Sequence, residues 1–390
     1  MHDRGAEQLF LDAGKPGWIV VTVKVNPPDS NGDFSALANA GFGVIVRLNN
    51  GYNQEGTIPH SSQYDAFAQQ CANFVAASRG ARIWIIGNET NFPGERPGGA
   101  DGEVITPDKY AQGFAKCRAA IRQIAGHADD WIVPAPTAPW NNQTTYAANP
   151  SGDWVIYFRD IVSKCVALNA PPDALALHTY THGFDAALVT SEGKMDAPFQ
   201  NYRKHFRAYR DFLAVVPASL KTLPVFITET QAADPDWWKN QNSGWIRAAF
   251  KEIADWNAVA SNQPIQALCL FRWETGEPKW SISDKNGLKD DFRAALQNNY
   301  RVRWASAAPA PDPAEQAAIT AAIANKPWMA INTGAALYKF AQAQNLGYPQ
   351  TDEFEFTVGG TVYVGQVYNL GIVYVKKGDW GNCKWVKKPS

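Results

Sequence analysis

The feature that most narrows the fold is an alternation kept up over about 300 residues, in which short apolar, β-branched runs are separated by stretches of helical periodicity. The runs are "GWIVVTVKV" (17–25), "GVIVRLNN" (43–50), "RIWIIGN" (82–88), "DWIVPAP" (130–136), "ALALHTY" (174–180), "PVFITE" (224–229) and "IQALCLFRW" (265–273). Runs apolar on both faces suit strands covered on both sides, and parallel strands need crossovers of helical length. The intervening segments supply them. "SSQYDAFAQQCANFVAAS" sets Tyr64, Phe67, Cys71, Phe74 and Val75 along one stripe. "TPDKYAQGFAKCRAAIRQIAG" opens with Thr106 as N-cap and Pro107 at the first helical position. Further helices are expected around Trp154–Cys165 and over 197–216, 244–257 and 290–300, with a short one at 35–41. Seven strands fall one short of a closed barrel. Residues 4–14 look like a helix, so His2-Asp3 would be the tail of a minimal first strand. The fold expected is α/β, a (β/α)8 TIM barrel. Its competitor, an open doubly wound sheet, lacks the glycine-rich phosphate turn that should follow one of its strands.

Beyond the barrel the composition shifts. The expected division is a catalytic barrel over 1–304, an Ala/Pro-rich linker "ASAAPAPDP" over 305–313, and a small α+β module over 314–390. Two short helices are expected there, in "PAEQAAITAAIAN" and "TGAALYKFAQAQNLG". Three strands should follow, with Gly359-Gly360 as the hairpin turn between the first two.

Charge removes whole classes of function. Lys+Arg total 36 against Asp+Glu 37, which leaves no electrostatic footprint for nucleic acid. No run of ~18 apolar residues offers a membrane span, and no motif implies a cofactor. Cys71, Cys117, Cys165, Cys269 and Cys383 share no close spacing and read as small buried hydrophobes, with a Cys71–Cys117 bridge as the alternative. "MHDRGAEQLF" carries no signal-peptide core. Its abrupt start suggests secretion with the leader already removed, and the compartment stays open.

In a barrel, chemistry collects at the C-terminal ends of the strands. Those ends carry His2 and Asp3, Asn49 and Asn50, Asn88 and Glu89, Trp140, His178 and Tyr180, Glu229, and Trp273 and Glu274. Glu89 and Glu229 end the fourth and seventh strands, counting the stub as the first. A barrel mouth can hold such a pair ~5–5.5 Å apart, the spacing of a retaining glycosidase, in which one acid donates a proton and the other attacks. Either alone would more often be a solvated strand end than a catalyst; together they point to catalysis.

"GNE", "HTY", "ITE" and the aromatic end of the last strand resemble the retaining (β/α)8 glycoside hydrolases of clan A, over residues 1 to about 300. The resemblance implies Glu89 as acid/base, Glu229 as nucleophile, and Asn88 on the sugar 2-hydroxyl. It implies Tyr180 as a donor to the nucleophile, His178 beside it, and Trp273 as the floor of the sugar site. The arginine such enzymes carry near the second strand has no counterpart there; Arg47, on the third, is the available substitute. Long loops place Trp140, Trp237, Trp238 and Trp280 at the rim as sugar platforms, each equally readable as loop packing. Glu274 is a third acid near the mouth.

The substrate expected is a carbohydrate with β-glycosidic bonds. Two alternatives stand beside this reading: a glycan-binding barrel without catalysis, and a metal-dependent hydrolase using His2, Asp3, His178 and Asp185. For the C-terminal module, "LGYPQTDEFEF" and "VGQVYNLGIVYV" resemble short repeats of cell-wall-associated proteins, so glycan or wall binding stands beside packing or self-association.

Overall fold

The computed structural model describes residues 1–300 and 332–388. The expected linker (305–313), the boundary at 304 and the helix expected in 313–325 lie outside the described residues.

Seven apolar runs form the strands β1 (Trp18–Lys24), β2 (Gly43–Asn49), β3 (Ile83–Ile86), β4 (Trp131–Pro134), β5 (Leu175–His178), β7 (Val225–Thr230) and β9 (Ile265–Leu270). Two-residue extensions, β6 (Thr181–His182) and β8 (Ala232–Ala233), pair with each other in parallel. One sheet runs β1-β2-β3-β4 and another β5-β7-β9. The pairs β2/β3, β3/β4, β5/β7 and β7/β9 are all parallel. Every residue of β2, β3, β4 and β5 is buried, as strands covered on both faces require. The chain is therefore α/β, built on parallel sheets.

The first residues behave as a strand stub. Asp3 donates its N–H to Val20 O (2.8 Å), Val20 donates to Met1 O (2.9 Å), and His2 donates to Leu270 O (2.9 Å). Residues 1–3 are thus hydrogen-bonded to β1 on one side and β9 on the other. Across the other seam, Asp173 N–H donates to Ile132 O (3.1 Å).

Helices α1 (Glu7–Asp12), α2 (Ser35–Asn39), α3 (Tyr64–Ala77), α4 (Pro107–Arg122), α5 (Trp154–Ala167), α6 (Tyr209–Ala214), α7 (Trp245–Asn257) and α8 (Asn286–Leu296) fill the connections. Thr106 caps α4 by accepting from Lys109 N–H, and Asp153 caps α5 by accepting from Val155 and Ile156 N–H (2.8 and 3.0 Å). The helix expected over 197–216 shrinks to α6. Residues ahead of it fold back instead: Lys194 bridges Arg203, and Asp211 captures the Arg203 backbone N–H (2.6 Å) and guanidinium (2.5 Å). All five cysteines are free thiols. Cys71 and Cys117 share a hydrogen bond, and burial pushes the Cys71 thiol up.

By packing, Met1–Gly32, Ile45–Ser78 and the described residues from Ile83 to 300 form one compact unit; residues 332–388 belong to a second, which also takes in Asp33–Val44 and Arg79–Arg82. In the second, helix α9 (Ala336–Ala343) buries Leu337, Tyr338 and Ala341. An antiparallel sheet runs in the order β10 (Phe354–Val358), β11 (Thr361–Val367), β12 (Gly371–Lys376), β13 (Lys384–Lys387). Gly359 and Gly360 both have positive φ (54° and 80°) and sit between the paired Val358 and Thr361. That backbone suits glycine, as a two-residue hairpin demands. The edge strand β13 escapes a reading by hydrophobicity, because its Lys-Trp-Val-Lys pattern is the polar dressing that edge strands use against aggregation.

Candidate active site

Gly87 (φ 77°) turns the chain out of β3, and Glu89 itself has φ 37°, a conformation that costs a non-glycine residue about 1–3 kcal/mol. Neighbouring backbone holds it there. Glu89 N–H donates to Pro136 O (3.0 Å), Phe92 N–H donates to Glu89 O (2.7 Å), and Thr57 Oγ1 donates to Asn88 O (2.7 Å). Strain of this kind gathers where side-chain placement matters more than local stability.

Glu89 meets side chains from two other strand ends, those of β5 and β7. One oxygen each of Glu89 and Glu229 and a ring nitrogen of His178 lie within 4.8 Å of one another. His178, fully buried, places Nδ1 2.7 Å from Glu89 Oε1 and Nε2 3.1 Å from Thr228 Oγ1. Arg47 Nη2 approaches the same Nε2 at 3.5 Å, and a guanidinium can only donate. The network therefore assigns the proton to Nδ1, which donates to Glu89. Tyr180 OH donates to Glu229 Oε2 (3.0 Å) and lies 3.4 Å from Glu89 Oε1. Burial, followed by the charges of Glu229 and Glu89, pushes its phenol well above the usual range, so it remains a donor.

Glu229 is 6% exposed, yet ionised. Burial alone would raise its carboxyl, but His178, Arg47 (Nη2 to Oε1, 2.7 Å) and His2 (Nε2 to Oε1, 3.6 Å) outweigh that and hold it at about 2. His2 is in turn 3.1 Å from Asp3, which Arg272 engages. Burial would also raise Asp3; His2 and Arg272 bring it down to about 2. A carboxyl depressed from 4.5 to about 2 stabilises the fold above its ordinary value, and that stabilisation is lost as pH falls from about 4.5 to 2. Arg47→Met strips the buried carboxylate of its guanidinium, a loss on the order of 3–5 kcal/mol at neutral pH. Melting curves should show this deficit shrinking as acid protonates Glu229. A deficit constant from pH 7 to about pH 3 would contradict the assigned pairing.

The other expected residues divide. Asn88 is 6% exposed, and its Oδ1 has no partner. Trp140 (φ 59°) reaches the cluster: its ring lies 6.2 Å from that of Tyr180 and 4.4 Å from that of His182, and its Nε1 donates to Arg203 O (2.9 Å). Trp237 and Trp280 form an edge-to-face pair (6.1 Å), with Lys279 over both rings. Trp238 is not a platform. It is 3% exposed, stacks edge-on against Trp245 (5.0 Å), and donates Nε1 to Phe271 O (2.6 Å). Asn50 spends its amide closing the 50–57 loop on Glu55 O (2.9 Å). Trp273 lies against Gly5, where a Cβ would come within 2.4 Å of its Nε1. Phe271, at the end of the last strand, lies edge-on to His2 at 5.0 Å. Glu274 is exposed and engaged by Ser283. Asp185 is exposed and caps residues 186–190 by accepting from Ala187 N–H (2.9 Å).

Two residues escaped the sequence reading. Phe271 was hidden by the more conspicuous Trp273. Glu95, six positions after Glu89 in a Gly/Pro-rich loop without periodicity, gave no signal; it interacts electrostatically with both Glu89 and Glu229 and hydrogen-bonds Asn88. As to metals, among the described residues Glu89, His178 and Glu229 are the donors close enough to share an ion. The Arg47 guanidinium already occupies Glu229 and opposes a second cation beside it.

No protein-family model matches the chain, and no curated protein matches it in sequence. Several solved structures resemble it. A GH128 (subgroup I) endo-beta-1,3-glucanase from Amycolatopsis mediterranei is 14% identical with a TM-score of 0.44, over 76% of this chain and 97% of that one. An endo-beta-1,4-glucanase from Xanthomonas axonopodis pv. citri is 14% identical with a TM-score of 0.43, over 76% and 90%. A beta-glucosidase from Exiguobacterium marinum is 15% identical with a TM-score of 0.45, over 75% and 85%. Likenesses this distant assign no activity to this chain.

Proposed function

We propose that the chain is a retaining glycoside hydrolase cleaving β-glycosidic bonds in a poly- or oligosaccharide by double displacement. The observation that carries this reading is the pair Glu89 and Glu229, whose carboxylate oxygens approach within 4.8 Å while a buried arginine keeps one of them ionised. Retaining enzymes hold their acids ~5–5.5 Å apart, whereas inverting ones leave ~6.5–9.5 Å for a water. A barrel that only bound glycans would have no use for a buried ionised carboxylate set against a second acid.

In the proposed mechanism, Glu229 attacks the anomeric carbon while Glu89 protonates the departing glycosidic oxygen. Arg47 and Tyr180 aim the nucleophile. A water then displaces Glu229 from the glycosyl ester, losing its proton to Glu89 and restoring both groups. Asn88, adjacent to Glu89 in the chain, would meet the hydroxyl next to the anomeric carbon, and Trp140 would offer a flat face to the sugar C–H bonds. Residues 1–3, bonded on both sides, would close an eight-stranded barrel over 1–304. Residues 305–313 would serve as linker and 314–390 as an accessory module that binds glycan.

The test is a panel of β-glucans and other β-linked glycans, with NMR of the first sugar released. The expected product has the β configuration at the new reducing end. An α product would replace this mechanism with inversion, and a panel left uncut would end the glycosidase reading.

A further inference from the structure

We propose that Glu95 is a positioning residue whose proton decides which end of the Asn88 amide meets the substrate. The inference rests on the glycosidase reading and deepens it.

Glu95 ends a short turn (Pro93–Glu95) in the loop after β3. Thr57 ties this turn to the strand end. Its backbone N–H donates to Glu95 O (3.0 Å), and its hydroxyl donates to Asn88 O (2.7 Å). The Glu95 and Asn88 side chains are hydrogen-bond partners. The second, independent observation is on Asn88, which is 6% exposed and whose Oδ1 lies buried without a partner. Buried acceptors of that kind are rare and call for a donor.

An amide presents an acceptor at one end and a donor at the other, and a half-turn exchanges them. An ionised Glu95 can only accept, so it takes the Asn88 N–H and leaves Oδ1 facing the site. A protonated Glu95 can donate to Oδ1, which satisfies the orphaned acceptor and turns the NH2 toward the sugar. The surroundings favour the proton. Burial, then the charge of Glu89, pushes the Glu95 carboxyl up to about 8; Glu229 adds to this, while Arg47 and the Asn88 hydrogen bond oppose it. On the turns packed against it, Glu55 is exposed and paired with Lys24, and Asp101 is exposed. Near neutral pH the donor end of Asn88 would therefore face a sugar hydroxyl, and deprotonation would present an acceptor instead.

The experiment compares kcat/KM for an aryl β-glycoside and for its analogue with fluorine in place of the hydroxyl next to the anomeric carbon; the hydroxyl can donate or accept, whereas fluorine can only accept. Taking the ratio cancels whatever acts on both substrates alike. In the wild type the hydroxyl-to-fluoro ratio should rise about tenfold, the worth of one hydrogen bond, between about pH 6 and about pH 10. In Glu95→Gln, which cannot ionise, it should be flat over the same interval. Asn88→Ala should also remove the step, which keeps the test informative if the first variant folds poorly. A wild-type ratio independent of pH during active hydrolysis, or a Glu95→Gln ratio that follows the wild type, overturns the inference and leaves the glycosidase reading standing. If neither substrate is hydrolysed, both fall.

Discussion

Glu229→Ala should lower kcat/KM by at least ~10⁴-fold while the protein stays folded. The size follows from what the fold invests in this one carboxylate. Arg47, Tyr180 and His2 arrive from three other elements, and each touches Glu229. A side chain buried to 6% exposure and still held ionised is costly unless its charge is used, since desolvation works against it. In the proposed mechanism Glu229 is the nucleophile, and removing it stops the first covalent step entirely. Assays of the purified variant beside wild type, with circular dichroism as the check on folding, decide it. Activity within tenfold of wild type would remove Glu229 from the mechanism.

Glu89→Gln should produce a second large effect with a different signature. Natural glycans depart as poor leaving groups and need a proton, so their turnover should fall by roughly 10²–10⁴. Aryl glycosides with acidic phenols need no proton to leave, and their glycosylation step should be far less affected. A plot of rate against leaving-group pKa should therefore steepen in the variant. Equal losses across the series would mean that Glu89 positions substrate and does not donate a proton. His178 is the group to watch beside it. Its Nδ1 lies 2.7 Å from Glu89 Oε1, so the imidazole and the acid share one proton-carrying contact.

Much of this architecture is written in the sequence, for reasons that can be named. Strands such as "GVIVRLN" announce themselves because burial on both faces removes every polar alternative. Thr106-Pro107 marks the start of α4 because cap chemistry is local, and Gly359-Gly360 marks a hairpin because its backbone excludes most other residues. Strand ends inherit this legibility: Glu89, His178, Tyr180 and Glu229 are fixed in space once their strands are. Arg47 follows as well, although only the coordinates show its guanidinium on Glu229.

What stays hidden belongs to loops. Trp237 and Trp238 are neighbours in a loop without periodicity; Trp237 pairs with Trp280, while Trp238 enters the core against Trp245. Residues 197–208 read as helix by composition, but Asp211 draws Arg203 into a contact that no local propensity encodes. Glu95 depends on a turn packed against Thr57, nearly forty residues earlier, and its carboxyl acquires its character from burial and then from charges on three strand ends. Tertiary placement decides such positions, so they have to be seen.

The account stands on two acids from distant strands serving one anomeric carbon from opposite faces, one attacking it and the other handling the proton, and azide reads this directly. Azide supplied to Glu229→Ala enters the space the carboxylate vacated while Glu89 protonates the leaving oxygen; the product should be the α-glycosyl azide. Supplied to Glu89→Ala, it displaces Glu229 from the glycosyl ester and should give the β-glycosyl azide. That pair of opposite anomers, assigned by NMR, is the result expected. The same anomer from both variants, or rescue of neither, would contradict the assignment of Glu229 and Glu89 to opposite faces of one sugar.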